Sequence, residues 1–343
     1  MTTIHWPSIK TIKKIKPLGN TSPWVWVIEP SFGCNLKCGH CCAELIAEED
    51  KQLMTYKTWC SIFKTINSVS PTVRVDIGGI VGEPTLHPQL TEWLPIARKL
   101  APLAQFQITT NGTMLRSGAV NFKDLLDAGA NIVYTDQYGP HKEFEKLADK
   151  SGYPYYQYYD PPYGAWTPWR FYGPHVKMIV LMEQPGTWPQ SRFRAGLLGN
   201  WYGNLNWEKG KRFGMFPLDK PLTRRCNQPF LYVNVAASGS YLLCCQDGMH
   251  ITEGMFGNVS EGVDGFRKFW YGKKLQIIRR RLRNKNRAGT EYACAPCNVT
   301  FSRCDFKHWK IEQLNMWWDS KAWQRFDKNI EKTEMGGLNE DLS

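Results

Sequence analysis

The chain has 343 residues, and its 43 Lys+Arg against 31 Asp+Glu give a formal net charge of +12. A hydrophobic fraction of 42% with 13% aromatics excludes a disordered chain, and the length suits one large domain or two ordinary ones. The longest apolar runs, Trp24–Ile28 and Met178–Met182, are far short of the roughly 20 residues that cross a bilayer, which excludes a membrane-spanning helix.

Residues 1–22 form a basic N-terminal arm with Lys10, Lys13, Lys14 and Lys16. The apolar run after it is short and broken by Glu29, so it is not a signal peptide, and a cytoplasmic location is expected. In a reducing compartment eleven cysteines are metal ligands more readily than disulfides. Strands are predicted at Val25–Glu29, Val73–Ile77, Phe106–Thr110, Ile132–Asp136, Tyr155–Tyr159 and Val176–Met182, each short and rich in β-branched or aromatic residues. Helices are predicted between the first four, at Tyr56–Ser68, Leu90–Leu100 and Phe122–Ala128. This β-then-α order points to a parallel α/β sheet or barrel, and six strands fall short of the eight of a full barrel.

Beyond residue 185 the texture changes. Residues 186–225 are rich in Gly, Pro, Trp and Arg and have the composition of a linker; residues 226–330 form a second unit, and 331–343 a flexible tail. In the second unit a hairpin is expected from Tyr232–Ala236 and Tyr241–Leu243 with Ser238-Gly239 at its turn, then one basic helix over 264–283 and an amphipathic helix over 306–330.

Cys34, Cys38 and Cys41 follow the first strand with C-x3-C-x2-C spacing. Three thiolates on one short loop can hold three irons of a [4Fe–4S] cluster and leave the fourth open; zinc favours four protein ligands at C-x2-C spacings. Gly78-Gly79-Ile80-Val81-Gly82-Glu83-Pro84 follows the second strand, and Thr109-Thr110-Asn111-Gly112 closes the third.

These three elements, in this order at strand ends, resemble the radical SAM (S-adenosylmethionine) superfamily. The resemblance implies a partial (β/α)6 barrel of radical SAM type. It also implies a cluster on Cys34, Cys38 and Cys41, and S-adenosylmethionine held by Gly78, Gly79, Gly82, Glu83 and Asn111. His40 is then placed to pack over the adenine, and Asp136 or Thr135 to reach the ribose; Asp136 also reads as a plain strand-end turn residue. The implied reaction is reductive cleavage of S-adenosylmethionine to a 5′-deoxyadenosyl radical that abstracts hydrogen from a substrate. The glycine element departs from the family pattern, because Ile80 and Val81 separate Gly79 from Gly82.

Residues 226–304 contain six cysteines: Cys226, Cys244, Cys245, Cys294, Cys297 and Cys304. A cysteine, a hairpin ending in G-x4-C, a helix and a C-x2-C resemble the SPASM or twitch extensions of radical SAM enzymes. That resemblance implies a smaller α+β domain, hairpin plus helices, with one auxiliary [4Fe–4S] cluster on Cys226, Cys244, Cys294 and Cys297. Cys304 is an alternative ligand, and structural zinc is the competing reading. Cys245 points away from Cys244 if both are extended. Cys42 and Cys60 read as small buried residues.

Between Gly265 and Arg287 lie ten Lys/Arg and no acid. This is either a footprint for phosphates or a solvated helix face. Ten of the twenty residues from Tyr153 to Tyr172 are aromatic, suited to stacking on a base, to an apolar peptide side chain or to plain packing. The first reading of the substrate is a nucleotide or base in nucleic acid, bound through 265–287. The second is a peptide or protein, and the third is a non-catalytic, metal-stabilised nucleic-acid binder. An electron donor such as flavodoxin or ferredoxin is the further expected partner of the enzyme.

Overall fold

Short β-branched and aromatic segments assemble into one sheet of eight strands in the computed structural model. It describes residues 23, 25–38, 41–78, 80–136, 138–158, 175–182, 221–223, 226, 228–290 and 294–297. In chain order the strands are β1 (Val25–Ile28), β2 (Ser31–Phe32), β3 (Gln52–Leu53), β4 (Arg74–Ile77), β5 (Gln105–Thr110), β6 (Ile132–Asp136), β7 (Tyr155–Tyr158), β8 (Met178–Met182), β9 (Tyr232–Val235) and β10 (Tyr241–Leu242). The main sheet has the order β10-β9-β1-β4-β5-β6-β8-β7, parallel except for β10 against β9, and β2 and β3 form a separate antiparallel pair. All six predicted barrel strands are present, displaced by at most two residues at an end. The mostly parallel sheet with its helices is the expected partial barrel.

Two features of the strand order depart from simple succession. β8 lies between β6 and β7, so the last strand of the barrel is inserted rather than appended. Its sequence, MIVLM, suits a strand covered on both faces, whereas the YYQY of β7 suits an edge. The hairpin of the second unit also joins the main sheet. β9 pairs with β1 in parallel register, Val25 with Tyr232 through Ile28 with Val235.

The helices follow from capping and apolar spacing. α1 (Tyr56–Val69) starts at Thr55, whose hydroxyl accepts from the Thr58 amide, and it buries Trp59, Ile62, Phe63 and Ile66 on one face. It ends at Ser70, before Pro71, where the proline ring disfavours helical backbone. α2 (Leu90–Leu100), α3 (Thr113–Ser117), α4 (Phe122–Ala128) and α5 (His141–Ser151) cover the barrel strands in turn. Phe63 of α1 meets Phe106 of β5 edge-on at 5.1 Å, and the Trp59 indole donates to the Trp93 carbonyl at 3.1 Å.

In the second unit, α6 (Gln228–Leu231) leads into β9. The predicted single helix over 264–283 is two helices, α7 (Gly262–Trp270) and α8 (Lys273–Arg283). The break falls at Gly272, where a Cβ would lie 1.9 Å from the Lys268 carbonyl oxygen. Trp26 of β1 stacks on Phe266 of α7 at 5.4 Å, and one apolar core runs from β1 and α1 into the hairpin and α7. Residues 1–22, most of 186–225, the helix expected over 306–330 and the tail at 331–343 lie outside the described residues.

Candidate active site

Parallel strands put their C-terminal ends on one edge, where barrel-type sheets carry their chemistry. Here that edge gathers Glu29 after β1, Gly78 after β4, Asn111 after β5 and Asp136 at the end of β6. The loop with Cys34, Cys38 and Cys41 rises from β2, just beyond β1. All three thiols are part-exposed. The Cys34 sulfur accepts from the Leu36 amide at 3.4 Å and from Asn111 Nδ2 at 3.5 Å, and the Cys41 sulfur from the Ala43 amide at 3.5 Å. The Cys38 thiol faces the Tyr138 hydroxyl at 3.4 Å. Burial pushes the Cys34 thiol up to about 11. A hydrogen bond from the buried Cys42 thiol holds Cys41 below the usual thiol range.

Among the described residues no three Cys, His, Asp or Glu close into a metal-binding group. The donor chemistry nonetheless fits thiolate ligation of iron. N–H groups aimed at sulfur stabilise a thiolate and tune an iron–sulfur centre, and part-exposed thiols leave room for one.

Glu83 ties the glycine element to the third strand. Its Oε1 accepts from the Thr85 amide (3.0 Å), the Thr85 hydroxyl (2.5 Å) and the Thr110 hydroxyl (2.7 Å), and its Oε2 from the Asn111 amide (2.7 Å). Burial raises its pKa, opposed by these same hydrogen bonds. Asn111 in turn reaches the cluster loop, since its Nδ2 also donates to Asn35 Oδ1 at 2.9 Å. Three elements far apart in sequence are thus one hydrogen-bonded unit, and within it Glu83 orients Asn111.

The stretched glycine element has a packing reason. A Cβ on Gly82 would lie 1.5 Å from the Ser31 carbonyl oxygen, so the turn presses backbone against the base of the cysteine loop. Gly78 has φ +96°, which favours glycine, and its amide donates to the Ile28 carbonyl at 2.8 Å. The Val81 and Gly82 amides both donate to Glu29 Oε1, at 3.0 and 2.7 Å.

Glu29 is fully buried, and its other oxygen, Oε2, is 2.7 Å from His250 Nε2. Burial works against the His250 imidazolium, but the hydrogen bond and charge of Glu29, with Glu253 and Asp247, raise its pKa above the ordinary value. Its ring stacks on Phe32 at 4.0 Å. His250 has φ +53°, a conformation that costs an L-residue roughly 1 kcal/mol. Sequence reasoning missed both residues as part of the site. An acid at the C-terminal end of a buried parallel strand was a signal for Glu29; His250 lies 221 positions away and had none.

Residues 28–160 match the model of the Radical SAM superfamily. They form a radical SAM domain. No curated protein matches the chain in sequence. Among solved structures, the chain is similar to BtrN in complex with AdoMet and 2-DOIA, at TM-score 0.59 and 18% identity, covering 82% of this chain and 95% of that one. It is also similar to BtrN in an open conformation, at TM-score 0.50 and 15% identity, covering 79% and 90%. The likeness is one of fold. The domain match and the fold together support an enzyme of this superfamily.

Outside the radical SAM domain, the structure brings Cys226, Cys244, Cys294 and Cys297 into one neighbourhood. Cys244 is raised by its hydrogen bond with Cys245, by burial and by the charges of Cys245, Cys226 and Cys297. Cys294 is raised by burial and then by Cys226 and Cys297. The Cys244 sulfur accepts from the Gln246 amide at 3.3 Å, and the Cys297 amide donates to the Cys294 carbonyl at 3.3 Å. Cys245 would point away from Cys244 only if both were extended, and they are not. β10 ends at Leu242 and the chain turns through 245–246, so the two side chains meet. Cys42 is buried as expected, whereas Cys60 is part-exposed beside the Tyr56 hydroxyl.

The basic stretch divides. Arg279 is buried, stacked 4.2 Å over Trp270, and donates to the Pro229 and Trp270 carbonyls at 2.8 and 2.5 Å. Arg287 is buried and donates to the Cys297 carbonyl at 3.3 Å. Arg267 pairs with Asp264 at 3.3 Å and Lys268 with Glu261 at 3.9 Å. Lys273, Lys274, Arg280 and Lys285 stay exposed. His40, Gly79 and Cys304 lie outside the described residues, as does most of the aromatic stretch at 153–172. Asp136 ends β6 opposite Met182, on the site edge. Among the described residues no helix is long and apolar enough to cross a membrane.

Proposed function

We propose that the chain binds a [4Fe–4S] cluster on Cys34, Cys38 and Cys41 and S-adenosylmethionine against the Gly78–Glu83 turn and Asn111. The observation that carries this reading is the hydrogen-bonded unit of Cys34, Asn111 and Glu83, which draws three strand-end motifs into one site. The chemistry such a centre supplies when bound is one-electron reductive cleavage of S-adenosylmethionine, whose deoxyadenosyl fragment takes a hydrogen atom from the substrate. The protein's part is positioning. Asn111 and the Leu36 and Ala43 amides steady the ligand sulfurs, and Glu83 fixes Asn111.

Cys226, Cys244, Cys294 and Cys297 are the proposed ligands of one auxiliary [4Fe–4S] cluster. Three buried thiols, Cys244, Cys294 and Cys297, beside the part-exposed Cys226 are unfavourable as free thiolates and favourable as ligands of a cation-bearing centre. Two clusters predict about eight irons per chain. Four irons and one zinc would refute the auxiliary part while leaving the first cluster standing.

The substrate reading is nucleic acid, supported by the exposed cations Lys273, Lys274, Arg280 and Lys285. An affinity for RNA or DNA that falls steeply with salt is the expected result; no binding at low salt defeats it and leaves the peptide class. The core proposal is tested by incubating the anaerobically reconstituted full chain with S-adenosylmethionine and a one-electron reductant, dithionite or flavodoxin. The expected products are 5′-deoxyadenosine and methionine, and their absence from cluster-loaded protein overturns it.

A further inference from the structure

The Glu29–His250 pair joins parts of the chain that the sequence keeps apart. Glu29 ends β1, and its Oε1 holds the Val81 and Gly82 amides of the glycine turn. The Glu83 amide, next in line, donates to the Gly33 carbonyl at 2.9 Å, one residue before Cys34. On the other side, the His250 amide donates to the Asp247 carbonyl at 3.1 Å, and the Asp247 amide to the Cys244 carbonyl at 3.0 Å. Asp247 is itself fully buried and fixed by the Ile251 and Thr252 amides at 2.7 and 2.9 Å. His250 also lies flat on Phe32, which precedes Gly33. A continuous set of hydrogen bonds and one ring stack therefore runs from Cys244 through His250 to the glycine turn and the Cys34 loop.

His250 keeps a left-handed backbone that a histidine adopts only against steric cost, and its side chain is 6% exposed. Such a conformation persists where surrounding contacts over-determine it. Without a partner on Oε2, the Glu29 carboxylate would be buried with two backbone amides alone, free to rotate away from them.

We propose that His250, through Glu29, is a positioning residue that sets the Val81–Gly82 turn and the Cys34 loop against the hairpin carrying Cys244. The proposal rests on the radical SAM reading for its consequence, the fixing of the S-adenosylmethionine site, but not for the linkage itself.

The test separates the two. In the metal-free full chain, amide hydrogen exchange at Val81 and Gly82 is compared among wild type, H250G and H250Q. H250G removes the ring where glycine is at ease, and H250Q retains a donor to Glu29. Exchange at the two amides is expected to rise about tenfold in H250G and to recover in part in H250Q, with amides of β5 unchanged. In the loaded protein the KM for S-adenosylmethionine is expected to rise about tenfold in H250G with kcat little changed. Wild-type exchange at both amides in H250G overturns the linkage. If H250G fails to fold, H250N decides, since Asn tolerates the positive φ and is too short to replace the ring on Glu29: unchanged exchange at Val81 and Gly82 overturns the proposal, and a local rise supports it. If wild type binds no S-adenosylmethionine, the functional reading fails and the exchange result alone judges the linkage.

Discussion

The two cysteine groups are built on opposite terms. Cys34, Cys38 and Cys41 sit part-exposed on a loop, and the sulfurs of Cys34 and Cys41 accept N–H bonds. Cys244, Cys294 and Cys297 are buried at 7%, 8% and 7% exposure, and Cys244 and Cys294 are raised by burial and by neighbouring sulfurs. A centre that must meet a cofactor needs an open face, whereas one that only stores or passes charge is better enclosed. The open group rests on the close backbone packing of Gly82, and the enclosed one has the buried Arg287 on the Cys297 carbonyl.

The contrast can be broken first at Gly82. G82A forces a Cβ into the Ser31 carbonyl and is expected to cost about 3 kcal/mol, read as a lower urea midpoint, with the turn amides exposed. Wild-type stability would mean the turn does not press on the loop. On the enclosed side, R279A leaves the Pro229 and Trp270 carbonyls without their donor and removes a stacked cation; a loss of about 2 kcal/mol is expected in the same measurement. An unchanged midpoint would make Arg279 a bystander.

Thiol reactivity sharpens the contrast directly. In metal-free protein at about pH 8, Cys41 is expected to alkylate roughly tenfold faster than Cys294, because only Cys41 is held below the usual thiol range and part-exposed. Mass mapping that finds Cys294 or Cys244 modified first contradicts it. The smallest effect concerns His250, which Glu29, Glu253 and Asp247 face. Its folded pKa is raised, so its contribution to stability is complete below about pH 6.5 and is lost as pH rises through the folded value. Wild type is expected to exceed H250Q by about 1 kcal/mol or less at low pH, with the gap narrowing above neutrality; a gap that widens with pH contradicts the ion pair.

Much of the barrel was legible because its signals are local. β-branched runs marked β1, β4, β5 and β6, Thr55 and Asn121 cap α1 and α4, and cysteine spacing marked the loop. Strand order was not, since pairing depends on which edges remain open in space: β8 slips inside β7, and β9 takes the free edge of β1. The split of α7 from α8 turns on one glycine against one carbonyl, which a basic, helix-favouring composition conceals. Of the basic stretch, charge was visible but burial was not, so Arg279 and Arg287 looked like surface cations. The cysteine groups were visible from spacing; the contact of Glu29 with His250 is purely tertiary.

Under the proposed function the open cysteine group, and not the enclosed one, carries S-adenosylmethionine cleavage. The direct measurement is 5′-deoxyadenosine formation by reduced, anaerobically reconstituted wild type, by C34A, C38A and C41A, and by the C294A/C297A double variant. Product is expected from wild type and from C294A/C297A, and none above background from any of the three loop variants. Product from a loop variant, or its loss in C294A/C297A protein that retains the first cluster, would contradict it.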